Sequence, residues 1–131
     1  MIAAKSIAVD TSVFVSYMQQ ESGKDIELLR RYLDEGEAWF SPVVITELLS
    51  AQSLSHVDSE LIKELPVLEL EEGYWLRAGG SRRKLLQHKL KAKTADALIA
   101  QSCIDHNMPL LTRDADFKPY VKYCGLKLVK I

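Results

Sequence analysis

The sequence predicts an α/β fold of three layers, with helices on both faces of a central, mainly parallel sheet of about five strands. Three observations carry that expectation. Short apolar runs alternate with amphipathic helical patterns along the chain, the alternation that builds βαβ units joined by right-handed crossovers. Residues 94–117, TADALIAQSCIDHNMPLLTRDADF, read as a helix, a tight turn, a short buried strand and a group of carboxylates at the strand's end. Asp10 and Asp114 each follow an apolar run, which is the edge where an open parallel sheet binds its ligands.

Length and composition bound the alternatives. At 131 residues, 47% hydrophobic and 27% charged, the chain is expected to form one globular domain over residues 1–131 rather than a disordered segment. The net charge of −1 gives no overall attraction to polyanions, so any nucleic-acid contact requires a local basic surface. No apolar run approaches a membrane span and the N-terminus lacks a signal-peptide pattern, so the expected location is cytoplasmic, without membrane contact. Cys103 and Cys124 fit no metal spacing and read as small core or near-surface residues.

Taken in order, residues 6–9 form a strand that runs into Asp10, and Ser12 caps a helix carrying Val13, Phe14, Val15, Tyr17 and Met18. Gly23 breaks that pattern. Ile26, Leu29 and Leu33 mark a second amphipathic helix ending near Gly36, and residues 38–40 are the next strand. Ser41-Pro42 opens a helix with Val44, Ile45, Leu48 and Leu49 on its buried stripe and Glu47 within it. A short helix over residues 58–65 ends at Pro66, and Val67, Leu68 and Leu70 read as a third strand. A long helical segment begins near Glu71, and its Gly79-Gly80 pair costs helix stability and marks either a bend or a close approach. Thr94 caps the next helix, Asn107 ends it in a left-handed conformation, and Pro109 forces the turn into the strand at Leu110-Leu111. Residues 126–129 alternate as a final strand.

Four acids on four separate elements, Asp10, Glu47, Asp96 and Asp114, are placed so that one parallel sheet can gather them at one edge. Carboxylates crowded there repel, and a hard divalent cation neutralises them; oxygen ligands suit magnesium or manganese rather than zinc. Each acid has a plainer alternative. The helix dipole favours Asp96 in a first turn, Asp10 suits an ordinary turn, and Asp114 with Asp116 can simply stop a strand. Glu47 is the sharper case, since it lies on or beside an apolar helix face where a buried, unpaired carboxylate costs several kcal/mol.

Together, Asp10-Thr-Ser, Glu47 in TELL, Asp96 in DALIA and TRDADF at residues 112–117 resemble the PIN-domain ribonucleases, with the size and order of the VapC toxins of toxin-antitoxin pairs. The resemblance covers nearly the whole chain. It implies a PIN-like α/β/α fold with Asp10, Glu47, Asp96 and Asp114 as catalytic, metal-binding acids and Asp116 as a fifth, oriented by the hydroxyls of Thr11, Ser12 and Thr112. The activity implied is endoribonucleolytic hydrolysis by a water activated on one or two Mg2+ or Mn2+ ions. It further implies a cognate antitoxin that covers the cleft with a basic side chain, and a homodimer. His56, His88 and His106 fall outside the constellation and read as surface or helix-end residues.

Arg82, Arg83, Lys84, Lys89, Lys91 and Lys93 form the densest basic run, either an RNA phosphate contact beside the cleft or a solvated helix face. Two phosphoacceptor folds are excluded because Asp10-Thr-Ser offers neither an adjacent acid pair nor Asp-x-Asp after the first strand. A non-catalytic RNA- or protein-binding module of the same fold is the alternative, and retention of all four principal acids argues against it.

Overall fold

Three consecutive apolar residues with no polar alternation belong in the middle of a sheet, and β1 (Ile7–Val9) lies there, buried at every position. In the computed structural model, which describes residues 3–131, β1 is flanked by β2 (Ala38–Trp39) and β3 (Leu110–Leu111), both parallel to it. The register pairs Ala8 with Trp39 on one side and with Leu110 on the other. The two outer strands expected at residues 67–70 and 126–129 contribute one parallel bridge each, Phe40 with Val67 and Leu110 with Leu128. Pro66 supplies no N–H ahead of the first bridge, and an edge segment has a neighbour on one side only, so neither ladder extends.

Between the strands lie α1 (Thr11–Met18), α2 (Lys24–Asp34), α3 (Pro42–Leu49), α4 (His56–Lys63), α5 (Tyr74–Gln87), α6 (Thr94–Asp105) and, after β3, α7 (Lys118–Cys124). Small residues explain how α6 is covered on more than one side: Ala97, Ala100, Ser102 and Cys103 are buried together with Ile99 and Gln101. Their slight bulk admits α5 and α3, both of which pack on α6. The α5 contact is pinned by polar groups. Tyr74 donates its hydroxyl to the Leu98 carbonyl at 2.6 Å, Ser81 donates to Gln101 at 2.6 Å, and Arg77 grips Asp105 through Nε and Nη2 at 3.0 and 2.7 Å. Phe14 of α1 meets Phe40, the residue after β2, edge-on with centroids 5.2 Å apart.

Several boundaries differ from expectation for local reasons. Helix α1 begins at Thr11, and Ser12 gives its hydroxyl to Asp10 instead of capping. Lys93 precedes α6 as its cap residue, with Thr94 already helical. Ser55 caps α4 by accepting from the Asp58 N–H at 3.0 Å, which starts that helix two residues early. Gly73, at φ +81°, delays α5 to Tyr74. Asn107 ends α6 at φ +49° as expected, and the Met108 N–H bonds back to the Cys103 carbonyl at 2.9 Å. Helix α7 was not expected. Its signal was present in Pro119 at the first turn and in Phe117, Tyr120 and Cys124 at helical spacing.

The Gly79-Gly80 pair neither breaks α5 nor meets a close neighbour. The helix runs unbroken through it, and a Cβ at either position would have nothing within 4 Å. Both glycines therefore carry only their conformational-entropy penalty. Gly79→Ala and Gly80→Ala are each expected to stabilise the protein by about 0.5–1 kcal/mol, seen as a raised Tm.

Candidate metal centre

The order β2-β1-β3 makes the chain leave β1 in one direction and return on its other side, so the topological switch falls between β1 and β3. Residues just past the carboxyl ends of these two strands face each other across that switch. Asp10, 5% exposed, follows β1, and Thr112 follows β3; the Thr112 hydroxyl donates to Asp10 Oδ2 at 2.7 Å. Ser12 donates to the same oxygen at 2.9 Å. Thr112 Oγ1 also accepts from the Asp114 N–H at 3.0 Å, and Asp114 Oδ1 accepts from the Asp116 N–H at 2.8 Å. The second of these bonds caps the short 3-10 turn Ala115–Phe117 and turns both carboxylates of the loop toward α6.

There Asp96, in the first turn of α6, completes a tight set. One carboxylate oxygen from each of Asp96, Asp114 and Asp116 lies within 4.8 Å of the others. Burial is the main cause that pushes the Asp96 carboxyl up to about 6, followed by the negative charges of Asp114 and Asp10. This is the cost of bringing like charges together out of water. All three groups are hard oxygen donors in one half-buried recess, which is the donor set a magnesium-sized cation takes.

Glu47 departs from its expected environment. It is exposed, not buried on the apolar face of α3, and its Oε1 accepts the Thr11 hydroxyl at 2.6 Å. The apolar stripe of α3 is Val44 and Leu48, so the adjacent position turns outward. Thr11 neighbours Asp10, and this bond brings Glu47 to the rim of the site without placing it in the three-acid set.

The basic run divides. Arg82 Nε donates to the Ala92 carbonyl at 2.8 Å and Lys84 Nζ to the Tyr123 carbonyl at 3.2 Å, so both brace the fold. Lys91 forms an ion pair with Asp116 at 3.1 Å. Arg83, Lys89 and Lys93 are exposed. The histidines lie at helix ends: His56 opens α4, while His88 and His106 close α5 and α6.

Sequence reasoning missed Arg113. Its Nε and Nη2 grip Asp25 at 2.5 and 3.0 Å, its Nη1 reaches Glu21 at 3.0 Å and Ser16 at 2.9 Å, and its backbone N–H donates to Ser12 at 3.3 Å. The loop bearing Asp114 is thus clamped to the α1–α2 connection. Partners 88 and 92 residues away leave no local signal. The guanidinium bond holds the Asp25 carboxyl below its ordinary value of 3.8, so this stabilisation is present above that pH and is lost on acidification below it. Arg113→Lys keeps the charge but loses the fork. It is expected to lower Tm at neutral pH and to speed hydrogen exchange of the Asp114 and Asp116 amides.

Comparison with known proteins bears on this arrangement. No curated protein matches the chain. Among solved structures, it resembles chains of VapBC2 from Rickettsia felis bound to a DNA fragment from their promoter, at 20% identity and TM-score 0.73, covering 93% of this chain and 96% of that one. It also resembles VapBC-1 from nontypeable Haemophilus influenzae, at 19% identity and TM-score 0.71 with coverages of 93% and 95%. VapBC-5 from Mycobacterium tuberculosis, a member of the VapBC family of toxin-antitoxin systems, is similar at 18% identity and TM-score 0.67, covering 98% of this chain and all of its own. At such identities the likeness is one of fold. The sequence itself matches the PIN domain over residues 7–122, and by that match, across nearly all the elements that build the sheet and its acidic edge, the chain belongs to the PIN domain family.

Proposed function

We propose that residues 1–131 act as a single PIN domain with metal-dependent endoribonuclease activity, the toxin of a VapBC-type pair. The observation that carries this reading is the convergence of Asp96, Asp114 and Asp116 beside Asp10 at the switch point of the sheet. Solved neighbours that are toxin-antitoxin complexes support the biological setting.

In this reading Asp10, Glu47, Asp96 and Asp114 are the catalytic acids that hold Mg2+ or Mn2+, one ion or two, with Asp116 as a further ligand. When bound, such an ion stabilises charge on the phosphoryl oxygens and makes a water acidic enough to attack phosphorus at neutral pH. The chain's own groups prepare that step. Thr112 and Ser12 fix Asp10 in orientation, the Asp116 N–H fixes Asp114, and Thr11 fixes Glu47. Ionised Asp96, unfavourable by itself, becomes favourable against a cation. Arg83, Lys89 and Lys93 are the members of the basic run left to meet RNA phosphates, with Lys91 at the mouth of the cleft and Arg82 and Lys84 supporting that surface. The partners are an RNA substrate, a cognate antitoxin that masks the acids, and a second copy of the chain. No helix among the described residues is long and apolar enough to cross a membrane, and we place the protein in the cytoplasm.

Incubation of purified protein with total RNA tests the reading. Wild type is expected to cut with Mg2+ and not with chelator, and Asp96→Asn to lose about 100-fold or more in rate. A cut that survives both changes would overturn the mechanism; no cut by wild type would favour the binding module. A second expectation concerns stability. The folded carboxyl of Asp96 is raised to about 6 from 3.8, so its stabilising contribution is present below pH 3.8 and is lost as pH rises through about 6. In chelator, Asp96→Asn should therefore raise Tm at pH 8 and leave it nearly unchanged near pH 4, while added Mg2+ should raise the Tm of wild type alone.

A further inference from the structure

The connection between α5 and α6 is held at several points around Lys91. The His88 ring stacks on Tyr123 with centroids 4.1 Å apart, and the Leu90 N–H bonds to the Leu85 carbonyl at 3.0 Å. Lys89 takes a left-handed turn at φ +59°, and Ala92 is buried with its carbonyl held by Arg82 at 2.8 Å. From this fixed base the exposed Lys91 stem reaches the acidic recess, where Nζ lies 3.1 Å from Asp116 Oδ2. Asp116 is one of the three acids whose oxygens lie close enough to share an ion. An ammonium bonded to that oxygen takes one of its lone-pair directions, and it sets a like charge beside any cation that enters.

We propose that Lys91 is a tethered counter-ion that competes with the divalent metal for Asp116, so that the α5–α6 connection sets the metal concentration at which the site fills. The proposal rests on the metal-centre reading above and adds its regulation. The geometry distinguishes Lys91 from its neighbours in the run: Arg82 and Lys84 bond to backbone carbonyls, whereas Lys91 bonds to a carboxylate of the cluster. The field of Asp114 and Asp96 reinforces the contact and, with the Asp116 bond as the main cause, holds the Lys91 ammonium above its ordinary value. A metal ion that enters displaces this ammonium, and a protein without it offers Asp116 freely.

Electron paramagnetic resonance of free Mn2+, titrated at pH 8 without RNA, reads the competition directly. Wild type, Lys91→Met, Asp116→Asn and the double variant form a cycle, and Lys91 is exposed enough that its replacement leaves the core untouched. Lys91→Met is expected to bind Mn2+ roughly three-fold more tightly than wild type, the scale of an exposed ion pair. In the Asp116→Asn background the same replacement should change affinity much less. Equal or weaker Mn2+ binding by Lys91→Met overturns the proposal, as does an equal gain in both backgrounds, which would make Lys91 a general charge. Absence of Mn2+ binding by both wild type and Lys91→Met overturns the metal-centre reading itself, and the tether with it.

Discussion

One hydroxyl ties the site together. Thr112 Oγ1 donates to the carboxylate that ends the β1 run and accepts from the backbone of the loop that follows β3, so two strands far apart in sequence present their acids as a unit. Without such a link, like charges at neighbouring strand ends would splay their loops, because each gains solvation by moving apart. The parallel register of β1 and β3 brings the ends level, and the Asp10 N–H to Leu111 carbonyl bond at 3.0 Å extends that pairing one residue beyond the strand. The placement of the acids follows from backbone geometry first and side-chain chemistry second.

Two cations hold the segments around this placement, each by a different bond. Arg113 uses Asp25 and Glu21, which lie outside the acid cluster, to anchor the loop. Lys91 bonds to the cluster itself. Their roles differ because their chemistry differs. A forked guanidinium held by two carboxylates and a serine is a rigid structural joint, whereas a single ammonium at the tip of an exposed stem can be exchanged for another cation. The fold thus separates the charge that must stay from the charge that can leave.

Helix α6 shows how packing and function share one element. Its alanines, serine and cysteine allow close coverage by α5 and α3, which holds in place the helix that carries the Asp96 carboxylate. Asp96 is half-buried for the same reason, and burial is the largest cause of its raised value. A bulkier, more mobile helix would leave the acid solvated and less responsive to a cation.

The sequence by itself determined the alternation of strands and helices, the left-handed end of α6 at Asn107, and which acids stand at strand ends, because periodicity, capping chemistry and turn residues act over a few neighbours. It missed α7, where a seven-residue pattern was too short to stand out, and it allowed Gly79-Gly80 a close contact that the structure does not have. Tertiary structure alone decided that Glu47 faces water beside Thr11, that the two outer strands shrink to single bridges, and that Arg113 and Lys91 reach carboxylates. These outcomes depend on which surfaces meet across the fold. Local residue patterns carry no record of a partner many positions away.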